Sequence, residues 1–276
     1  MNVLVTGANG TVGSALAEHL VDDYDLTRLD IEASEHTDAV ADVRDYDAVR
    51  PHFDGQDAVV HLALTPGTGG PEDRSLGWSR AQRDNLEGIH NVTEAAVDAD
   101  LDSLVFASSN HAVGMVEVRN RPDVYHNDPG GGEGIRAGHE EPHRPDSRYG
   151  LTKCYGEDLG RLAAEAHDIR FYALRIGGVR DDHPYGDAEA GVENGRWGRG
   201  SDAYDRQVAR MKGNWLSRRD CAQLVACCLD DDGVEWDHFY GVSDNGRRWL
   251  DDLEYARETI GYEPQDRGEE WDGPPE

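Results

Sequence analysis

Residues 2–6, NVLVT, are a short apolar run that passes straight into glycines, and 11–23, TVGSALAEHLVDD, carries apolar residues at helical spacing. A second strand is predicted at 25–30 (DLTRLD), a short third at 39–43 (AVADV) and a buried fourth at 57–64 (DAVVHLAL). The stretch from Trp78 to Ala99 reads as a long helix and 102–109 (DSLVFASS) as a fifth strand. Tyr149 to His167 reads as a second long helix, followed by a sixth strand at 169–176 (IRFYALRI). A helix at 218–230, a strand at 238–243 (HFYGVS) and a helix at 251–260 complete the pattern. Strand and helix alternate, which predicts parallel βαβ units. Right-handed crossovers then give an α/β fold with a doubly wound parallel sheet and ligand sites at the C-terminal ends of the strands.

Two stretches break the alternation. Residues 116–147 are polar and contain DPGGGEG at 128–134, and 180–207 contain DDHPYGDAEAGVENGRWGRGSD. Both read as long loops, either lids over a site or surface insertions. The tail, RGEEWDGPPE, is expected to fray. A length of 276 residues suits one large α/β domain or one domain with a smaller cap. We divide it into 1–176, a dinucleotide-binding part, and 177–276, mainly a substrate part from which 218–243 returns to the sheet.

Composition narrows the partners. The formal net charge is −29, with 56 acidic against 27 basic residues spread along the whole chain. Nucleic acid is excluded as a partner because its phosphates would be repelled. There is no apolar run long enough to span a membrane and no secretory segment, so a cytoplasmic protein is expected. Lys153 and Lys212 are the only lysines. An acidic surface with almost no lysine resembles a protein adapted to molar salt, which screens self-repulsion to a range of about 3 Å at 1 M. The melting temperature is therefore expected to rise with KCl, and a value independent of KCl would contradict this reading. The four cysteines, at 154, 221, 227 and 228, form no C-x-x-C pair, so buried or free thiols are expected and no metal site.

TGANGTVGSAL (6–16) lies between the first strand and the first helix, with Gly7, Gly10 and Gly13 in the spacing G-x-x-G-x-x-G. The first glycine permits a tight turn, the second lets backbone approach a pyrophosphate, and the third allows close helix–strand packing. The helix N-terminus then offers free N–H groups to the anion. Asp30 ends the second strand 17 residues after Gly13, where a carboxylate can accept from both ribose hydroxyls and would repel a 2′-phosphate. No arginine follows it directly, which favours NAD over NADP. Asp42 and Val43 close the third strand, where the one can accept from the adenine amino group and the other pack near the ring.

Tyr149 and Lys153 fall at i and i+4 on a predicted helix and so share a face. A phenol with a pKa near 10 is a poor base at neutral pH, but a neighbouring ammonium favours the phenolate. Lysine can also hold a ribose, a task that suits the planar guanidinium badly. That is a reason for lysine to persist here, although a tyrosine packed over an aliphatic stem would give the same spacing.

G-x-x-G-x-x-G, HLA at 61–63, Asn85 in DNLEGIHNV, FASS and YGLTK together resemble the extended short-chain dehydrogenase/reductase family over nearly the whole chain. The resemblance implies a Rossmann domain, a small C-terminal substrate part and bound NAD. It implies a cofactor bed of Gly7, Asn9, Gly10, Thr11, Val12 and Gly13, Asp30 and Ile31, Asp42 and Val43, Leu62 and Ala63, Asn85, Tyr149, Lys153 and Ile176. Asn85 stands there as the family's structural asparagine in the helix before the fifth strand, or serves helix packing alone. The resemblance also implies a serine beside the tyrosine and lysine, and alignment on Gly114 assigns that role to Ser109 rather than Ser108. A homodimer through the two long helices follows by analogy.

ASSNHAVG (107–114) is similar to the serine strand of uronate dehydrogenases and of archaeal NAD-dependent glucose-6-phosphate dehydrogenases. Epimerases of UDP-sugars place a tyrosine where Val113 stands. YGLTKCYGE, RMKGNWLSRRDCA and YGVSDN support the same group. The group implies oxidation of a cyclic sugar at C1 to a lactone, with Ser109, Asn110, His111, Tyr149 and Arg210 on the substrate. Arg210 would hold a carboxylate, and His111 is alternatively a structural hydrogen-bonding residue. The insertion adds Arg196, Arg199 and Arg206, with Lys212 just beyond; these hold an anionic group or pair with neighbouring acids. The expected function is an NAD-dependent sugar 1-dehydrogenase with Ser109, Tyr149 and Lys153 catalytic. The alternatives are a nucleotide-sugar epimerase or dehydratase, and an NAD-sensing protein without catalysis.

Overall fold

The first apolar run is buried on both faces at Val3, Leu4 and Val5, which fits only the middle of a sheet covered on both sides. The computed structural model, which describes residues 1–70, 75–127, 134–179 and 183–275, places it there. In chain order the elements are β1 (Asn2–Thr6), α1 (Thr11–His19), β2 (Asp25–Asp30), β3 (Ala39–Val40), α2 (Tyr46–Val49), β4 (Ala58–His61), α3 (Arg80–Asp98) and β5 (Ser103–Ser109). There follow α4 (Met115–Arg119), α5 (Arg148–Ala166), β6 (Arg170–Ile176), α6 (Gly186–Glu193), α7 (Asp202–Asn214), α8 (Arg218–Asp230), β7 (Trp236–Gly241) and α9 (Leu253–Ile260). The seven strands are all parallel, in the order β3-β2-β1-β4-β5-β6-β7. The order reverses between β1 and β4, the switch point at which such sheets bind ligands.

Strand alternation divides the core in two. Val3, Val5, Tyr172 and Leu174 face α1 and α8, where Leu16, Leu224, Val225 and Cys228 are buried. Leu4, Val59, Phe106 and Phe171 face the other way, against Ile89 and Val92 of α3 and Ala163 of α5. Helix α5 lies unusually close to the sheet: a Cβ on Gly156 would sit 2.4 Å from the Phe106 ring, and one on Gly160 2.2 Å from the Phe171 ring. That close seat brings Lys153, one turn earlier, down onto β5.

The expectation of two long loops is corrected. Residues 116–147 hold most of α4 and a 3-10 turn at Asp123–Tyr125, with Val116, Val124 and Tyr125 buried. Residues 180–207 hold α6 and the first half of α7 around a separate small core of Tyr185, Ala188 and Tyr204. Buried aromatics among glycines and acids give no helical apolar period, so the pattern did not reveal them. Of the motifs read there, residues 128–133 and 180–182 lie outside those described. The tail is docked rather than frayed: the Trp271 carbonyl accepts from Tyr185 Oη at 3.2 Å and Lys212 Nζ at 2.5 Å, and Gly268 N–H donates to Asn245 Oδ1 at 2.9 Å. Strand β3 is only two residues long, so Asp42 and Val43 lie in the turn beyond it. Among the described residues, no helix is long and apolar enough to cross a membrane.

Candidate active site

A cavity of about 490 Å³ runs along the C-terminal edge of the sheet across the switch point. All sixteen residues assigned to a cofactor bed from the sequence line it. Gly7 adopts φ +76°, and a Cβ there would stand 2.6 Å from the Ala63 nitrogen. Only glycine lets the β1 turn and the β4 turn approach this closely. Gly10 caps α1 in extended conformation with no side chain, and no acid stands in the first turn of that helix. The cradle therefore presents bare N–H groups and a partial positive charge, which fits a pyrophosphate.

The far end of the bed is acidic. Asp30 Oδ2 accepts from Asn9 N–H at 2.9 Å and Oδ1 from Glu32 N–H at 3.2 Å, which fixes the carboxylate at the cavity wall. Asn9 in turn ties down the loop after β2, donating to the Glu32 carbonyl and accepting from Ser34 and Thr37. Asp42 turns both oxygens to Arg44, with Nη2–Oδ2 at 2.5 Å, and the guanidinium holds its carboxyl below the usual range. Arg44 also reaches Asp84 at 3.1 Å and lines the cavity. The sequence reading missed Arg44, although it stands two residues from Asp42. Asn85 donates to the Thr65 carbonyl at 2.9 Å and accepts from Thr65 N–H at 2.7 Å, so its amide is spent holding the turn after β4.

At the other end, Ser147 caps α5 by accepting from Gly150 N–H at 3.1 Å, which sets the phase of the helix. Tyr149 and Lys153 then both line the cavity. Lys153 is buried, donates to the Ala107 carbonyl at 2.6 Å and stands 5.5 Å from the centre of the Tyr149 ring. Burial pulls its pKa down to about 8, partly opposed by the charge of Glu157 one turn on. Glu157 is itself buried, and burial disfavours its charge. His143, Arg175 and Ser108 outweigh that and hold its carboxyl at about 2.

Sheet register separates the two serines. Ser108 pairs with Arg175 and shares its face, and its hydroxyl donates to Glu157. Ser109 pairs with Ile176 on the opposite face. Its hydroxyl makes two long bonds, to Asn110 Oδ1 at 3.2 Å and from His111 N–H at 3.3 Å. Ser108 lines the cavity, whereas Ser109, Asn110, His111 and Arg210 stand outside that lining. His111 packs edge-on against the Tyr149 ring at 5.5 Å, and its Nδ1 lies 2.8 Å from the buried Asp146 carboxylate. Asn110 is buried, and its Nδ2 has no hydrogen-bond partner. A second orphan, Asn214 Oδ1, lies beside Gly177 at this end of the cavity; it stands in RMKGNWLSRRDCA, but the sequence does not single it out.

Arg210 sits inside α7. Its Nε donates to Glu117 Oε1 at 2.6 Å and its Nη2 to Oε2 at 3.3 Å. Arg121 and Tyr125 also donate to this fully buried carboxylate, at 3.0 and 2.5 Å. Two arginines thus share the Glu117 carboxylate, and the charge of Asp187 also acts on Arg210. Of the other basic residues, Arg199 pairs with Glu189 and Lys212 holds the tail, while Arg196 and Arg206 face solvent. All four cysteines are free thiols.

A family model described as "NAD dependent epimerase/dehydratase family" matches residues 3–186. An NAD-dependent glucose-6-phosphate dehydrogenase of Haloferax volcanii is 36% identical over 98% of this chain and 95% of its own length. An L-arabinose 1-dehydrogenase (NAD(P)(+)) of the same organism is 35% identical over 96% of each chain. The crystal structure of a glucuronic acid dehydrogenase from Chromohalobacter salexigens superposes with a TM-score of 0.72 at 30% identity, covering 98% of this chain and 86% of that one.

Proposed function

The chain belongs to the NAD dependent epimerase/dehydratase family, and on that premise we propose that it is an NAD-dependent dehydrogenase that oxidises a cyclic sugar at C1 to the lactone. The observation that carries the reading is the seating of Tyr149 and Lys153 on one face of α5 at one end of the dinucleotide cavity, next to the Ser109-Asn110-His111 turn.

NAD, when bound, would supply the hydride acceptor, with Gly10 and the α1 N-terminus to hold its pyrophosphate and Asp30 its adenosine ribose. In the same step the C1–H bond breaks with its electron pair leaving as hydride and the C1 hydroxyl gives its proton to Tyr149 Oη, present as the phenolate, leaving the C1 carbonyl of the lactone. Lys153, still largely cationic at pH 7, lends positive potential to the phenol and donates to the nicotinamide ribose. Ser109 exchanges its two long bonds for one to the reacting oxygen. Asn110 Nδ2, a buried donor without a partner, offers itself to a sugar hydroxyl. Asp146 orients His111 so that its other nitrogen meets the sugar. The Glu117–Arg121–Arg210 cluster supports a distal anionic group, carboxylate or phosphate, on the substrate. Residues 1–176 are the cofactor part and 177–276 mainly the substrate part. Exposed Tyr155 and Leu162 on α5 support a homodimer through α3 and α5.

The test mixes the protein with NAD and a panel of neutral aldoses, sugar phosphates and uronates at high KCl while NADH absorbance is followed. Net NADH with one class is expected. Conversion of a nucleotide sugar without net NADH would identify an epimerase or dehydratase, and NAD binding with no turnover on any sugar would leave a binding protein.

A further inference from the structure

A second cleft, of about 430 Å³, opens beside β7 and shares no lining residue with the dinucleotide cavity. We propose that His139, Asp237 and His238 in this cleft bind a divalent transition-metal ion of the zinc class, which staples the segment before α5 to the outer strand of the sheet. One ligand atom from each residue lies within 4.8 Å of the others.

A ring nitrogen in this cluster is buried without a hydrogen-bond partner. His238 is 8% exposed, and its Nε2 lies 3.0 Å from the His139 carbonyl. A carbonyl only accepts, so Nε2 carries the hydrogen and Nδ1 of the neutral ring presents a bare lone pair. That Nδ1 is buried, has no hydrogen-bond partner, and faces Asp237 Oδ1 at 3.8 Å. Asp237 Oδ1 already accepts from the His238 backbone N–H at 2.7 Å, so of this facing pair only the His238 Nδ1 lone pair is left without a partner, and a cation would satisfy it. His139 Nε2 lies 3.2 Å from the same carboxylate oxygen. Ligands about 2.1 Å from a tetrahedral zinc stand roughly 3.4 Å apart, between these two separations.

The surroundings supply what such a site needs. The His139 carbonyl fixes the His238 tautomer. Asp252 Oδ2 lies 3.8 Å from His139 Nδ1, within reach once that ring turns, and Tyr255 Oη donates to the other oxygen of Asp237 at 2.6 Å. The two imidazoles now stack at 4.4 Å and 3°, so they must fan apart on loading. His139 is the ring that moves, because it stands on a loop while His238 stands on β7. The fourth position opens to the cleft, whose lining carries both acids (Glu140, Glu141, Asp158) and bases (His143, Arg161, Arg175). Mixed nitrogen and oxygen ligands favour zinc over magnesium, which prefers an all-oxygen octahedral shell.

The test dialyses the chelator-treated full chain at high KCl against zinc chloride, with bound metal measured by mass spectrometry and affinity by calorimetry. One zinc per chain is expected, with a rise in melting temperature that magnesium chloride does not reproduce. His139→Gln and Asp237→Asn should each weaken zinc binding at least about tenfold while keeping the thermal shift given by NAD. His139→Gln alters only a loop side chain and decides the matter if Asp237→Asn does not fold. No retained zinc, or zinc retained equally by the His139→Gln chain, would overturn the proposal.

Discussion

Tyr149→Phe is expected to lower kcat by about 10²–10⁴-fold on whichever sugar the enzyme accepts, the range a positioned proton acceptor contributes. The substitution removes one oxygen and leaves the ring, so the edge contact with His111 at 5.5 Å survives. Lys153 also keeps its bond to the Ala107 carbonyl, which does not depend on the phenol. Most of the cofactor bed is made by the turns after β1, β2, β3 and β4, so the thermal shift given by NAD should change little. A loss confined to kcat separates proton transfer from packing, because a tyrosine that merely covers the lysine stem would tolerate phenylalanine. Full turnover by the variant would remove Tyr149 from the mechanism, and loss of NAD binding would show that its hydroxyl serves the cofactor instead.

The parts of the site that the sequence made legible are those in which backbone geometry forces residue choice. Gly7 must be glycine because the chain turns at positive φ where a Cβ would stand 2.6 Å from the Ala63 nitrogen, and that necessity is visible as a spacing. The i and i+4 placement of Tyr149 and Lys153 is legible for the same reason: a capped helix leaves them no other relation. What stayed hidden depends on partners distant in sequence. Arg210 is written like any surface arginine, and only the fold shows that Glu117, 93 positions away, accepts from two of its three guanidinium nitrogens. Arg44 reads as one more solvated charge until Asp84 arrives from α3. The helices within 116–147 and 180–207 are stabilised by a few aromatics docking on other segments rather than by an apolar stripe of their own, so no period announces them. His139 likewise meets Asp237 and His238 only because β7 joins the edge of the sheet beside the segment before α5.

Glu157→Gln is expected to lower stability at neutral pH by roughly 3–5 kcal/mol, the cost of leaving a buried charge unpaired, and to lower the melting temperature by on the order of 10 °C. The charge left behind is Arg175, which is 2% exposed and donates to Glu157 from Nε at 3.1 Å and Nη2 at 2.8 Å. His143 at 2.8 Å and the Ser108 hydroxyl lose the same acceptor. The sign with pH follows from the carboxyl being held at about 2 when folded, against 4.5 for the ordinary group. A depressed acid contributes stability that is fully present above 4.5 and is lost as pH falls through about 2. Wild type should therefore lose its advantage over the variant across that window, and thermal melts of both at neutral pH and at successively lower pH measure it. The variant should also disturb catalysis through Lys153, whose ammonium the Glu157 charge supports against burial. Without that support the lysine deprotonates at lower pH, so the alkaline limb of the kcat/KM profile should move down while the acid limb stays. Equal melting temperatures for the two proteins at neutral pH would mean that Arg175 finds another acceptor. An unmoved alkaline limb would mean that the charge on Lys153 does not govern turnover.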